Sequence, residues 1–94
     1  MNEDIEKAKG YIKSGDIDLA VEFLSDLLQK FEDKKHKADV FYLLGNIYRK
    51  KSDWKLALDN YQSSMDLNPE GPAKGAHKMI LDIMNFFHKD MYNH

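Results

Sequence analysis

The histidines are the side chains best suited to bind a metal, and their spacing argues against it. The four are His36, His77, His88 and His94. His77 and His88 are eleven residues apart, three turns along a helix, so they cannot ligate one ion. No His-x-x-x-His or Glu-x-x-His pair occurs in the sequence. The sequence therefore predicts no metal site.

The residues that could act as nucleophiles or acids lack the surroundings that catalysis needs. Cysteine is absent, which excludes thiolate zinc sites and a cysteine nucleophile. No serine lies in a nucleophile-elbow sequence, and Gly45 and Gly75 belong to no phosphate-binding loop. Asp16 and Asp53 are better explained as helix caps than as acid/base catalysts. We therefore predict a protein that is not an enzyme and that binds no cofactor.

Length and charge narrow the class of protein further. The 94 residues suffice for one domain. There are 14 basic and 16 acidic residues, and a net charge of −2 argues against a nucleic-acid binder. The acidic N-terminus has no apolar signal segment, and no apolar run approaches the roughly 20 residues of a membrane span. These features predict a cytoplasmic protein that binds neither nucleic acid nor membrane.

Apolar residues recur at helical spacing along most of the chain, and no alternating strand pattern is present. The only prolines, Pro69 and Pro72, fall in one break that ends a helix and lets Pro72 start another. The charged run 32–37 is predicted to be a solvated linker. The chain is therefore predicted to be all-α, with five helices at about residues 2–13, 17–33, 38–51, 54–67 and 73–91.

Two short segments divide the helical runs in the same way. Gly15 suits the left-handed position that stops a helix, and Asp16 after it suits the N-cap of the next one. Later in the chain Asp53 takes the N-cap position, and Ser52 stands where the glycine was. Both segments predict a tight turn between two helices.

Residues 38–71 carry the pattern of a known repeat. Shifting the chain by 37 residues superposes the first two helix pairs, with Tyr11 on Tyr48 and Ala20 on Ala57. The diagnostic positions read Phe41, Leu44, Gly45, Tyr48, Ala57, Tyr61 and Pro69. On these residues the segment resembles the tetratricopeptide repeat, a helix–turn–helix unit. The final helix is similar to the tail of short stand-alone bacterial tetratricopeptide proteins.

The resemblance implies a fold and a division of the chain. The fold would be a tetratricopeptide-like superhelix of two helical hairpins with a C-terminal capping helix. Residues 1–37 would form a degenerate first repeat, residues 38–71 a well-matched second repeat, and residues 72–94 the final helix. Together they make a single tetratricopeptide-like domain.

The resemblance also implies a peptide-binding site on the concave face of the repeats. The positions concerned hold Lys9, Lys13, Tyr42, Asn46, Arg49 and Lys50. Asn46 would donate to a peptide backbone, and Arg49 would bind a carboxylate with both arms of its guanidinium group. The expected partner is another protein that offers an acidic or carboxylate-ended segment. The alternative is an ordinary solvated face made of helix-favouring lysines.

The last helix is apolar around most of its circumference, which predicts burial on more than one side. The stripe predicted to cover the helix at 54–67 consists of Ala76, Met79, Ile80, Ile83 and Phe87. The residues predicted to form a second, interface surface are Leu81, Met84, Phe86, His88 and Met91. One hypothesis is an accessory or assembly subunit, or a homodimer, that docks through this surface. The alternative is that the tail is covered by its own repeats.

Overall fold

The structure, a computed structural model, describes the backbone of residues 2–92 and the side chains of residues 2–86. Within that range it contains five helices and no strand, so the all-α prediction is confirmed. The helices are α1 (Glu3–Lys13), α2 (Ile17–Lys30), α3 (Lys34–Lys50), α4 (Trp54–Leu67) and α5 (Ala73–Tyr92). In the described part of the chain, no helix has the length and apolar character to cross a membrane.

The junction between α2 and α3 differs from the prediction. Helix α2 ends at Lys30, and α3 begins at Lys34, four residues before its predicted start. Asp33 caps α3, because its carboxylate accepts from the backbone N–H of His36 at 3.0 Å and contacts the imidazole Nδ1 at 2.7 Å. Most of the charged run is therefore the first turn of a helix, and the predicted boundary between residues 37 and 38 falls inside α3.

The turns after α1 and after α3 share one geometry. Gly15 and Ser52 both have positive φ, 84° and 61°, at the same place in each turn. The backbone N–H of Asp16 donates to the carbonyl five residues earlier at 3.0 Å, and Asp53 makes the same bond at 2.9 Å. The carboxylate of Asp53 also accepts from the backbone N–H of Leu56. Asp16 stands at its N-cap position without a side-chain cap bond to any described residue.

The helices pack in chain order, and two hydrophobic clusters hold them together. Helix α1 packs on α2, α2 on α3, α3 on α4, and α4 on α5, while α1 also contacts α3. The first cluster lies among α1, α2 and α3 around Leu24 and Ile47, and the second lies between α4 and α5 around Tyr61 and Ile80. Tyr42 and Tyr48 pack against both clusters. Their rings therefore join the two clusters.

The apolar face that α5 presents to α4 is not the predicted one. Helix α5 packs on the second cluster through Ala73, Ala76, Ile80 and Met84. The expectation was correct for Ala76 and Ile80 and wrong for Met79 and Ile83, which are exposed; the side chain of Phe87 lies outside the described residues. The wholly buried Ala73 explains why α5 is turned about its axis relative to the prediction. A small residue at the start of α5 lets that side of the helix approach α4 closely.

Candidate functional site

Helices α1 and α3 line a groove, called here the α1–α3 groove, that consists of three adjoining depressions. The first, of about 630 Å³, is lined by Asn2, Ile5, Glu6, Lys9, Lys35, His36 and Asp39. The second, of about 170 Å³, is lined by Ile5, Lys9, Asp39, Tyr42, Leu43 and Pro72. The third, of about 310 Å³, is lined by Lys9, Ile12, Lys13, Leu43, Asn46, Arg49 and Lys50. Lys9 lines all three, so the depressions form one continuous surface.

The structure brings the predicted peptide-binding residues to this groove. Five of the six line the third depression: Lys9, Lys13, Asn46, Arg49 and Lys50. The sixth, Tyr42, lines the second depression, beside Lys9. The six side chains therefore lie on one surface, although they come from two helices that are far apart in the sequence.

Several residues that line the groove were not predicted from the sequence, among them Lys35, His36 and Pro72. Lys35 and His36 line the first depression, and they were assigned to a linker because the start of α3 was placed too late. Pro72 lines the second depression from the segment before α5. The available signal was Asp33, whose position three residues before His36 is that of an N-cap acceptor.

The buried ring of Tyr61 holds two of the groove residues in place. Its hydroxyl donates to Oδ1 of Asn46, and its ring lies 5.9 Å from the ring of Tyr42, centroid to centroid. Because Oδ1 of Asn46 is occupied by this bond, the amide Nδ2 is left to donate to a ligand. Burial raises the pKa of Tyr61, against the opposing effect of the nearby Arg49 charge, so the hydroxyl stays protonated at neutral pH.

Charge is distributed unevenly along the groove. The third depression, called here the basic end, is lined by four cationic side chains, and no acidic residue of the described chain lines it. Lys13, Arg49 and Lys50 form no ion pair with any described residue. The first depression, called here the mixed end, carries Glu6 and Asp39 among its bases. The basic end is therefore suited to an anionic ligand.

The basic end also has an apolar floor. Ile12 of α1 and Leu43 of α3 line it together with the cationic side chains. Leu43 is buried and Ile12 is partly exposed, so a ligand has apolar surface to cover there. Cations, an amide donor and an apolar floor together can bind a peptide by charge, by hydrogen bonding and by burial of a side chain.

A second surface lies on the outer side of α5. It is a depression of about 620 Å³, called here the α5 face, lined by Gly75, Lys78, Met79, Asp82, Ile83 and Phe86. Of the residues predicted to form an interface, Leu81 and Phe86 are exposed. Met84 is instead half-buried against the second cluster, because it continues the inward stripe of α5. The side chains of His88 and Met91 lie outside the described residues.

The described chain is an all-α protein in which two helical hairpins are followed by a fifth helix, and its groove is basic at one end. The solution NMR structure of the Bacteroides fragilis protein BF1650 matches 99% of this chain and 91% of that chain, with a TM-score of 0.84 and 46% sequence identity. The chain belongs to the same family as this Bacteroides protein. No family model matches the chain, and no curated protein does.

Proposed function

We propose that this protein is a non-enzymatic binding module of the tetratricopeptide type, whose α1–α3 groove binds an extended segment of another protein. The segment would carry acidic side chains or a terminal carboxylate at the basic end. The observation that carries the proposal is that Lys9, Lys13, Arg49 and Lys50, from two helices, line one depression with Asn46, and that no acidic residue of the described chain lines it. Lys9 pairs with Glu6 at 3.4 Å, while the other three cations form no ion pair with a described residue.

The repeat geometry supports the tetratricopeptide assignment. The turns at Gly15 and Ser52 make equivalent backbone bonds 37 residues apart, as a repeated helix–turn–helix unit requires. Gly45 lies where α3 and α4 cross, as the small residues of such repeats do. These features agree with the resemblance that the sequence carries in residues 38–71.

The chemistry of the basic end favours a carboxylate ligand. Arg49 offers two parallel N–H donors to one carboxylate, and Nδ2 of Asn46 offers a donor to a peptide carbonyl. Ile12 and Leu43 supply the apolar floor for one side chain of the ligand. With two helical hairpins the groove is short, so we expect micromolar or weaker affinity, about 8 kcal/mol or less.

The competing explanation is that these cations serve only their own helices. Lys13 lies in the last turn of α1, and Arg49 and Lys50 lie in the last turn of α3, where positive charge is favoured by the helix dipole. On that explanation their loss would lower helix stability and would leave no binding to lose. Binding and stability must therefore be measured on the same variants.

The test is fluorescence anisotropy with a labelled acidic peptide that ends in a free carboxylate, and with its neutral, amidated counterpart. We expect the acidic peptide to bind more tightly, with an affinity that falls as salt rises. Arg49→Glu and Lys13→Glu should each abolish measurable binding. Lys55→Glu makes the same charge change on α4, outside the three depressions, and should leave binding unchanged.

Two results would contradict the proposal. The first is equal affinity for the acidic and the neutral peptide. The second is an Arg49→Glu variant that is folded by circular dichroism and still binds like the unchanged protein. A loss of stability without any peptide binding in the unchanged protein would favour the dipole explanation instead.

A further inference from the structure

We propose that two copies of this chain associate through the α5 face, with their α5 helices antiparallel. The α5 face is exposed and largely apolar, with Met79, Ile83 and Phe86 turned away from α4. The surface is separate from the α1–α3 groove, since no residue lines both. The occupant follows from the shape and the charge of the face, which complement a reversed copy of itself.

The two ends of the α5 face have opposite shapes. Phe86 projects at one end and is 74% exposed. Gly75 lies at the other end, and no described atom stands within 4 Å of a Cβ built there. The two positions are eleven residues apart, which places them on one side of the helix and about 16 Å from each other. The face therefore carries a projection and a recess on one line.

Reversing a second copy brings these shapes into register. A two-fold axis between Ile80 and Leu81 places Phe86 of each copy over Gly75 of the other. The same axis places Met79 of each copy beside Ile83 of the other. A parallel pairing would instead set recess against recess and projection against projection, with less apolar surface covered.

The charges of the α5 face agree with the same register. Lys78 and Asp82 form an exposed ion pair within α5, with Nζ and Oδ2 2.7 Å apart. Lys78 precedes the proposed axis and Asp82 follows it, and their distances from the axis along the sequence differ by one residue. In the antiparallel pair Lys78 of one copy lies beside Asp82 of the other, so every cross-copy neighbour has the opposite charge.

The size of the face sets the expected strength. A stable interface covers about 800 Å² on each partner, more than three turns of one helix provide. We therefore expect a weak dimer that is populated only at high concentration. Sedimentation velocity from about 10 μM to 1 mM covers this range. The unchanged protein should sediment faster as its concentration rises.

Substitutions on and off the face test where the copies meet. Phe86→Asp should weaken association by about thirtyfold or more, since it removes the projecting ring at one end of the α5 face and buries a charge in its place. Leu81→Asp changes an exposed apolar residue of the same helix that does not line the α5 face, and it should leave association unchanged. A strictly monomeric unchanged protein at 1 mM would overturn the proposal. Equal effects of the two variants would overturn it as well.

Charge reversal tests the antiparallel register. In Lys78→Glu both position 78 and position 82 are acidic, and in Asp82→Lys both are basic. Like charges would then face each other across the interface, so each variant alone should stay monomeric. Mixed together, the two variants should associate, because each charge then faces its opposite. A mixture that remains monomeric under conditions where the unchanged protein dimerises would overturn the antiparallel arrangement. Circular dichroism on each variant confirms that the comparison is between folded proteins.

Discussion

The backbone of Gly45 lies directly against the ring of Tyr61. A Cβ atom built at position 45 would stand 2.5 Å from both Cδ1 and Cε1 of that ring. Tyr61 is wholly buried, and its hydroxyl donates to Asn46 in the α1–α3 groove. The crossing of α3 and α4 is thus the point at which core packing fixes a residue of the candidate site.

Gly45→Ala should destabilise the protein, although alanine is the better helix former. Helix propensity favours the change by about 1 kcal/mol, but the added methyl group overlaps a ring that has no room to move. We expect a net loss of about 2 kcal/mol in the free energy of unfolding, measured by urea denaturation. Gly10→Ala is the control, since no described atom lies within 4 Å of its Cβ, and it should stabilise α1. Similar effects of the two substitutions would contradict the close approach.

Tyr61→Phe should affect both stability and peptide binding. The ring remains, but the bond to Asn46 is lost, at a cost of about 1 kcal/mol in the free energy of unfolding. The amide of Asn46 is then free to rotate, so affinity for an acidic peptide should fall severalfold. Tyr48→Phe is the matched control, because the hydroxyl of Tyr48 bonds to no described residue. Unchanged affinity in Tyr61→Phe would show that Asn46 needs no support from the core.

The same hydroxyl predicts a loss of stability in alkali. Burial raises the pKa of Tyr61 above its ordinary value of 10.0, so the unfolded chain releases this proton at lower pH than the folded chain does. The contribution of Tyr61 is therefore complete below about pH 10 and is lost as the pH rises further. Tyr61→Phe should have the shallower decline in urea midpoint over this range. A decline as steep as that of the unchanged protein would contradict the raised pKa.

The cap of α3 predicts an effect at acidic pH. The side-chain bond from His36, followed by the backbone bond from the same residue, lowers the pKa of Asp33 below its ordinary value of 3.8. A lowered pKa means that the cap stabilises the folded protein above the pKa of the unfolded chain. That contribution is lost as the pH falls through the folded value. In an NMR titration, His36→Ala should raise the midpoint of the Asp33 carboxyl carbon, and an unmoved midpoint would contradict the assigned cause.

Local signals in the sequence predicted most of the fold. The stops at Gly15 and Ser52 and the cap at Asp53 depend on residues that are close in sequence, so the turns could be placed without tertiary knowledge. The start of α3 could not, because Lys34 and Lys35 are equally suited to a solvated loop and to a helix. Their assignment depends on whether Asp33 caps, which its contact with His36 decides.

Which side of α5 packs on α4 could not be predicted from the sequence, for a different reason. Apolar residues lie on several sides of α5, so the sequence offers more than one side that could pack on α4. The side that carries Ala73 and Ala76 packs on α4, because small residues allow the two helices to approach closely. Met79 and Ile83 are consequently exposed to solvent. The groove residues were named through a family resemblance, and their role in binding stays a prediction, although the structure places them on one surface.

The rings of Tyr42 and Tyr48 on α3 pack against both hydrophobic clusters, and this affects which helices unfold first. Helix α3 is held from both sides, whereas α1 and α5 stand at the ends of the stack. Backbone amides of α3 should therefore exchange with solvent most slowly, and those of α1 much faster through partial unfolding. A peptide bound to both α1 and α3 would hold α1 in place and suppress this partial unfolding. The slowing of amide exchange in α1 would then report occupancy of the groove without any label on the ligand.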